Sequence, residues 1–133
     1  LIDTSAAARM RNSAVAAQLA PLIEAAVVAT CATLDAEALS SARSSAEYEQ
    51  LRTDRRAAYE YLPTDDIHWQ RAFDAQRELA RTGRHRAVGI VDLLTAVVAA
   101  EHGLTVLHYD ADFDTAAEVL DFKHRWILQP GSV

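Results

Sequence analysis

Two stretches of this chain, Ala25 to Cys31 and Leu104 to Leu107, are apolar and rich in β-branched residues, without the apolar-polar alternation of a half-exposed strand. Strands that read this way are covered on both faces, as in a parallel sheet packed between helices. Segments of helical period stand between them. Strands joined in sequence through helices run parallel, so the pattern predicts an α/β fold rather than a helical bundle or a β-sandwich.

The remaining elements fit that frame. Leu1-Ile2-Asp3 reads as the end of a first short strand, and Thr4-Ser5 as a turn that can cap the next element. A helix is predicted from Asn12 or Ser13 to about Glu24, with Val15, Leu19, Leu22 and Ile23 at helical spacing and a kink or break at Pro21. Thr33 or Asp35 is expected to cap a helix from about Ala36 to Arg43, and a polar helix runs from about Ala46 to Ala58. Tyr59 to Leu62 is a short strand ended by Pro63. Thr64-Asp65-Asp66 starts a long helix that Gly83 stops. Ile90 to Glu101 is an apolar helix ended by His102-Gly103, Asp110 to Phe122 a short last helix, and Trp126-Ile127-Leu128 a fifth strand. The expected architecture is a three-layer α/β/α sandwich with a five-stranded parallel sheet, in one domain over residues 1–133.

Composition narrows the chemistry. A lone cysteine in 133 residues excludes a disulfide scaffold and a thiolate zinc site, and points to a reducing compartment, the cytoplasm by default. No apolar run reaches the roughly 18 to 20 residues of a membrane span, so no membrane association is expected. Leu1-Ile2-Asp3 shows no secretory signal, and the missing initiator Met suggests a few residues ahead of it. The net charge of -6 argues at first against a nucleic-acid partner. If five acids converge on one metal, however, the rest of the chain is nearly neutral, and phosphate substrates stay open.

Ligands of open parallel sheets bind beyond the carboxyl ends of the strands. Asp3 ends the first strand, Glu37 lies in the first turns after the second, and Asp110 and Asp112 follow the fourth. Asp92 begins the helix that feeds the fourth strand, at the same edge. Taken singly, each is explained as a turn former or a first-turn helix acid. Taken together they form a cluster, in which two unit charges 4 Å apart repel by about 4 kcal/mol at an effective dielectric of 20. Hard oxygen ligands suit Mg²⁺ or Mn²⁺, and the implied chemistry is metal-assisted phosphodiester hydrolysis.

The same residues carry a family resemblance. Leu1-Ile2-Asp3-Thr4-Ser5-Ala6, Glu37-Ala38-Leu39 before Ser41-Ala42-Arg43, Val91-Asp92-Leu93-Leu94-Thr95-Ala96, and Gly103 to Phe113 with Asp110-Ala111-Asp112 resemble the ordered motifs of PIN domains, and within them VapC-type toxins. The resemblance implies an endoribonuclease using Mg²⁺, with Mn²⁺ as substitute, its acids falling on Asp3, Glu37, Asp92 and Asp110, with Asp112 additional. It further implies a homodimer and a cognate VapB-type antitoxin that holds the toxin inactive. Two positions depart from the pattern. His108 stands where many PIN domains have Thr, and Val91 where many have Pro before the third acid, which loosens the predicted helix start.

Around the acids, Ser5 can hydrogen-bond a carboxylate or bound water, while Arg43, Arg84 and Arg86 can meet RNA phosphates or serve as solvated surface. Arg9 and Arg11 are weaker candidates. His68, His102 and His124 share no metal-ligand spacing and read as structural or exposed. Two other readings remain: a catalytically weak PIN-like module acting through a protein partner, which His108 keeps open, and a metal-dependent phosphatase, for which Asp3-Thr4-Ser5 supplies no convincing nucleophile motif.

Overall fold

The structure, a computed structural model, describes residues 1–132, so the last residue of the expected domain lies outside the described residues. Both apolar runs form strands, the first shorter than expected and the second of the expected length but one residue further on. β1 (Ala29–Cys31) pairs in parallel with β2 (Glu60–Leu62), and β3 (Thr105–His108) with β4 (Lys123–Trp126). Between the two pairs runs Leu1-Ile2-Asp3. The Ile2 N–H donates to the Ala29 carbonyl at 3.0 Å, the Leu107 N–H to Leu1 at 2.9 Å, and the Asp3 N–H to Leu107 at 2.9 Å. Among the described residues there are thus four strands in two parallel pairs, not five, and the expected first strand is an isolated bridge between Ile2 and Leu107. Asp3, itself extended, already caps the next helix, so the extended segment passes directly into helix.

The helices are α1 (Thr4–Ala7), α2 (Ser13–Glu24), α3 (Ala32–Leu39), α4 (Ser45–Ala58), α5 (Asp66–Ala80), α6 (Ile90–His102) and α7 (Asp112–Ala116). Several boundaries correct the sequence reading. Residues 25–28 are not strand: α2 ends in a Schellman turn in which the Val27 N–H bonds Leu22 and the Ala26 N–H bonds Ile23, with Ala26 at φ +57°. α2 also passes through Pro21 without a break. α3 starts four residues early because Cys31, in extended conformation, is its N-cap. The Asp35 side chain is engaged by Thr30 and Arg55 instead of capping. α7 stops at Ala116, far short of Phe122, and the last strand comes earlier, at Lys123–Trp126. There Lys123 and Arg125 face solvent while His124 and Trp126 turn inward, a period-two pattern that its charges hide. α6 starts at Ile90 with Gly89 as N-cap, so Val91 in place of Pro does no harm to the helix start.

The pleat sends successive residues to two cores. Leu1, Ala29 and Val106 join α5, α6 and α7 around Leu79, Leu93, Val97 and Phe113. Ile2, Val28 and Leu107 join α1 and α2 around Ala6, Val15 and Leu19. Helices therefore cover both faces of the strands, the arrangement that non-alternating apolar strands require. Across one face, the His68 ring closes a capping box at the start of α5 and reaches Glu101 on α6.

Candidate active site

The carboxyl ends of Leu1–Asp3, β1 and β3 open on one cavity of about 430 Å³, lined by Asp3, Glu37, Asp92 and Asp110 together with Thr4, Ser5 and Arg55, among others. Each acid arrives by a local device. Asp3 is the N-cap of α1, where its Oδ2 accepts the Ser5 N–H at 3.0 Å and the Ser5 hydroxyl at 2.5 Å. The Ser5 hydroxyl in turn accepts the Tyr109 N–H at 2.8 Å, tying the Asp3 segment to the end of β3. Glu37, on α3, accepts a hydrogen bond from the Thr4 hydroxyl. Asp92 lies in the first turn of α6. The Asp110 Oδ1 accepts the Asp112 N–H at 2.9 Å, so the turn after β3 holds both of its acids.

Electrostatics follow from this crowding. Burial, and the charges of Asp3, Asp110, Asp112 and Glu37, push Asp92 up to about 8. Burial also raises Asp3, with help from Glu37 and Asp110 and against the two Ser5 hydrogen bonds. Asp112 is raised by burial and by Asp110, and pulled back by a hydrogen bond from Asp92. Carboxylate oxygens of Asp92, Asp110 and Asp112 come within 4.8 Å of one another. Among the described residues the Asp3 Oδ1 is buried without a hydrogen-bond partner. Buried polar atoms are almost always satisfied, so an oxygen of this kind beside like charges suits a hard cation.

Against known proteins, the PIN domain profile matches residues 1–119. The chain is a PIN domain. It is 42% identical to ribonuclease VapC21 of Mycobacterium tuberculosis, over 99% of this chain and 96% of that protein. With ribonuclease VapC51 of the same organism it shares 39% identity, over 100% of this chain and 96% of the relative. Among solved structures it is similar to a chain in the crystal structure of VapBC2 from Rickettsia felis bound to a DNA fragment from their promoter. The TM-score is 0.73 at 15% identity, covering 93% of this chain and 95% of that one, a likeness of fold.

In this PIN domain the other expected residues are placed less uniformly. Ser5 lines the cavity. Asp112 stands beside the lining, in the oxygen cluster. Arg43, Arg84 and Arg86 do not line it: exposed Arg43 pairs with Glu47 at 3.4 Å, Arg84 with Glu118, and Arg86 is exposed. Arg9 stacks its guanidinium 4.4 Å from the centre of the Tyr109 ring and donates to the Ser5 carbonyl at 2.6 Å.

Sequence reasoning misses the cation in the cavity wall, Arg55. It is almost fully buried, donates from Nε to Asp35 at 3.0 Å and from Nη2 to Thr30 at 3.1 Å, and lies over the Tyr59 ring. Its signal is one Arg in the inward stripe of an otherwise polar helix, but nothing separates it in sequence from its neighbour Arg56. Thr4 reads in sequence only as a turn residue.

Proposed function

We propose that this PIN domain is a Mg²⁺-dependent endoribonuclease, with Mn²⁺ as substitute, acting in the cytoplasm as the toxin of a VapBC pair and neutralised by a cognate VapB-type antitoxin. The observation that carries the reading is the convergence of Asp3, Glu37, Asp92 and Asp110 on one cavity, with Asp92 raised to about 8 by its burial and its fellow acids. Ribonuclease names among relatives of nearly full coverage support it. We read the two strand pairs and the Leu1–Asp3 segment between them as one parallel sheet of order β2-β1-Leu1–Asp3-β3-β4, and residues 1–133 as a single domain that dimerises.

Asp3, Glu37, Asp92, Asp110 and Asp112 would hold the ion. Bound there, a hard divalent cation supplies polarisation of a phosphoryl oxygen and a lowered pKa for water. The chain's own part is placement. Ser5 fixes the rotamer of Asp3, Thr4 steers Glu37, and the Asp110–Asp112 turn presents two carboxylates on one backbone. Arg43, Arg84 and Arg86 would meet an RNA strand only outside the cavity.

The test is cleavage of total cellular RNA by the purified protein with Mg²⁺ or Mn²⁺, with end mapping, beside Asp3→Asn. Metal-dependent cuts that vanish in the variant are expected. Cleavage that survives Asp3→Asn, or no cleavage of any RNA with either ion, would overturn the assignment and leave the binding-module reading.

A further inference from the structure

The turn that carries Asp110 and Asp112 rests on a pair of histidines. The Asp110 N–H donates to His108 Nδ1 at 3.2 Å, so that nitrogen must present its lone pair. The hydrogen of the neutral ring is then on Nε2, which lies 3.0 Å from His124 Nδ1. His124 must accept there. One tautomer satisfies both contacts, and the partner on each side dictates it. The nearest acid to His124 Nδ1 is Asp114, at 3.8 Å, beyond hydrogen-bond distance, so Nδ1 is not drawn into donating to it and stays an acceptor.

Packing forbids the alternative. His108 is fully buried, with the rings of Phe113, Trp126 and His124 centred 4.7, 5.1 and 5.2 Å away. A ring flip would have to displace these neighbours and would turn carbon toward the Asp110 amide. The consequence runs forward along the backbone. With its N–H fixed by His108, Asp110 holds its carboxylate where Oδ1 accepts the Asp112 N–H, and both acids reach the oxygen cluster with Asp92.

We propose that His108 is a positioning residue of the acidic site, fixing the Asp110 amide through a tautomer whose Nε2 hydrogen His124 accepts. This rests on the reading of the acidic cluster as a cation site. Residues that hydrogen-bond behind metal ligands typically change metal affinity by about 10- to 100-fold when replaced.

The test measures Mn²⁺ affinity calorimetrically on purified protein without RNA, beside the thermal midpoint and the imidazole nitrogen shifts of His108. In the wild type, Nδ1 should be unprotonated and Nε2 protonated. His108→Leu, which fills the space without an acceptor, should weaken Mn²⁺ binding about tenfold or more. His108→Asn, whose amide oxygen replaces Nδ1, should recover most of that loss. His124→Leu leaves His108 in place and serves if His108→Leu does not fold; it removes the acceptor of the Nε2 hydrogen and should weaken Mn²⁺ binding to a lesser degree. A protonated Nδ1 in the wild type, undiminished Mn²⁺ affinity in the folded Leu variants, or equal loss in His108→Asn and His108→Leu would each overturn the proposal. Wild-type protein that binds Mn²⁺ yet cuts no RNA would sink the nuclease reading alone; wild-type protein that binds no Mn²⁺ would sink both.

Discussion

Asp92 and Asp112, the first-turn acids of two different helices, share a hydrogen bond in which the Asp92 carboxyl supports the Asp112 carboxylate. The pairing fits an Asp92 pushed up to about 8, because a carboxyl that keeps its proton can donate where a carboxylate cannot.

A pH dependence of the metal-free protein is the consequence. The folded state binds the Asp92 proton more tightly than the unfolded chain does, so stability is greatest below the ordinary value of 3.8 as far as this group is concerned, and falls as pH rises toward about 8. Asp92→Asn should flatten that decline. Chemical denaturation in a chelator at pH 5 and pH 8 checks it; an identical pH slope in wild type and variant would refute the assignment.

Addition of Mn²⁺ should reverse the effect. Binding to the folded state alone, at about 100 times its dissociation constant, stabilises by about 2.7 kcal/mol, a rise of several degrees in melting temperature. At pH 7 binding should also release the Asp92 proton, detectable by titration in buffers of different ionisation enthalpy. Asp3→Asn should lose much of the stabilisation.

Asp35 has a different role from its neighbouring acid Glu37. Its carboxylate accepts from Thr30 and Arg55, joining β1, α3 and α4. Asp35→Ala would strand a buried guanidinium, and such changes cost about 3 to 5 kcal/mol. Urea unfolding should show the loss even in the absence of metal, which separates it from substitutions at the acidic cavity.

Ala26→Gly should stabilise the protein. Ala26 ends α2 at φ +57°, where an L-residue with a Cβ is disfavoured by roughly 1 to 2 kcal/mol and glycine is not. Glycine's larger unfolded-state entropy takes part of this back, leaving a gain of about 0.5 to 1 kcal/mol. Val27, the next residue, is 60% exposed, so nothing in a core shifts.

Chain position decides how much of the site is legible in sequence. Asp3, Asp92 and Asp110 each end an extended segment or begin a helix, and once the strands run parallel those places share an edge. The two buried runs carry the parallel pattern, although Ala25 to Val28 pass for strand because an alanine at positive φ leaves no mark that a glycine would. β4 lies earlier than its apolar residues suggest because Lys123 and Arg125 interrupt them. Arg55 and Thr4 escape because their partners, Asp35 and Glu37, lie 20 and 33 residues away, and only the assembled fold brings them together.

The hydroxyl of Ser5 has a single hydrogen, and it is committed to Asp3 while the oxygen receives the amide of Tyr109. Held in this way, one small side chain acts as a strut, setting the rotamer of Asp3 and tying it to the backbone just past β3 in a single contact.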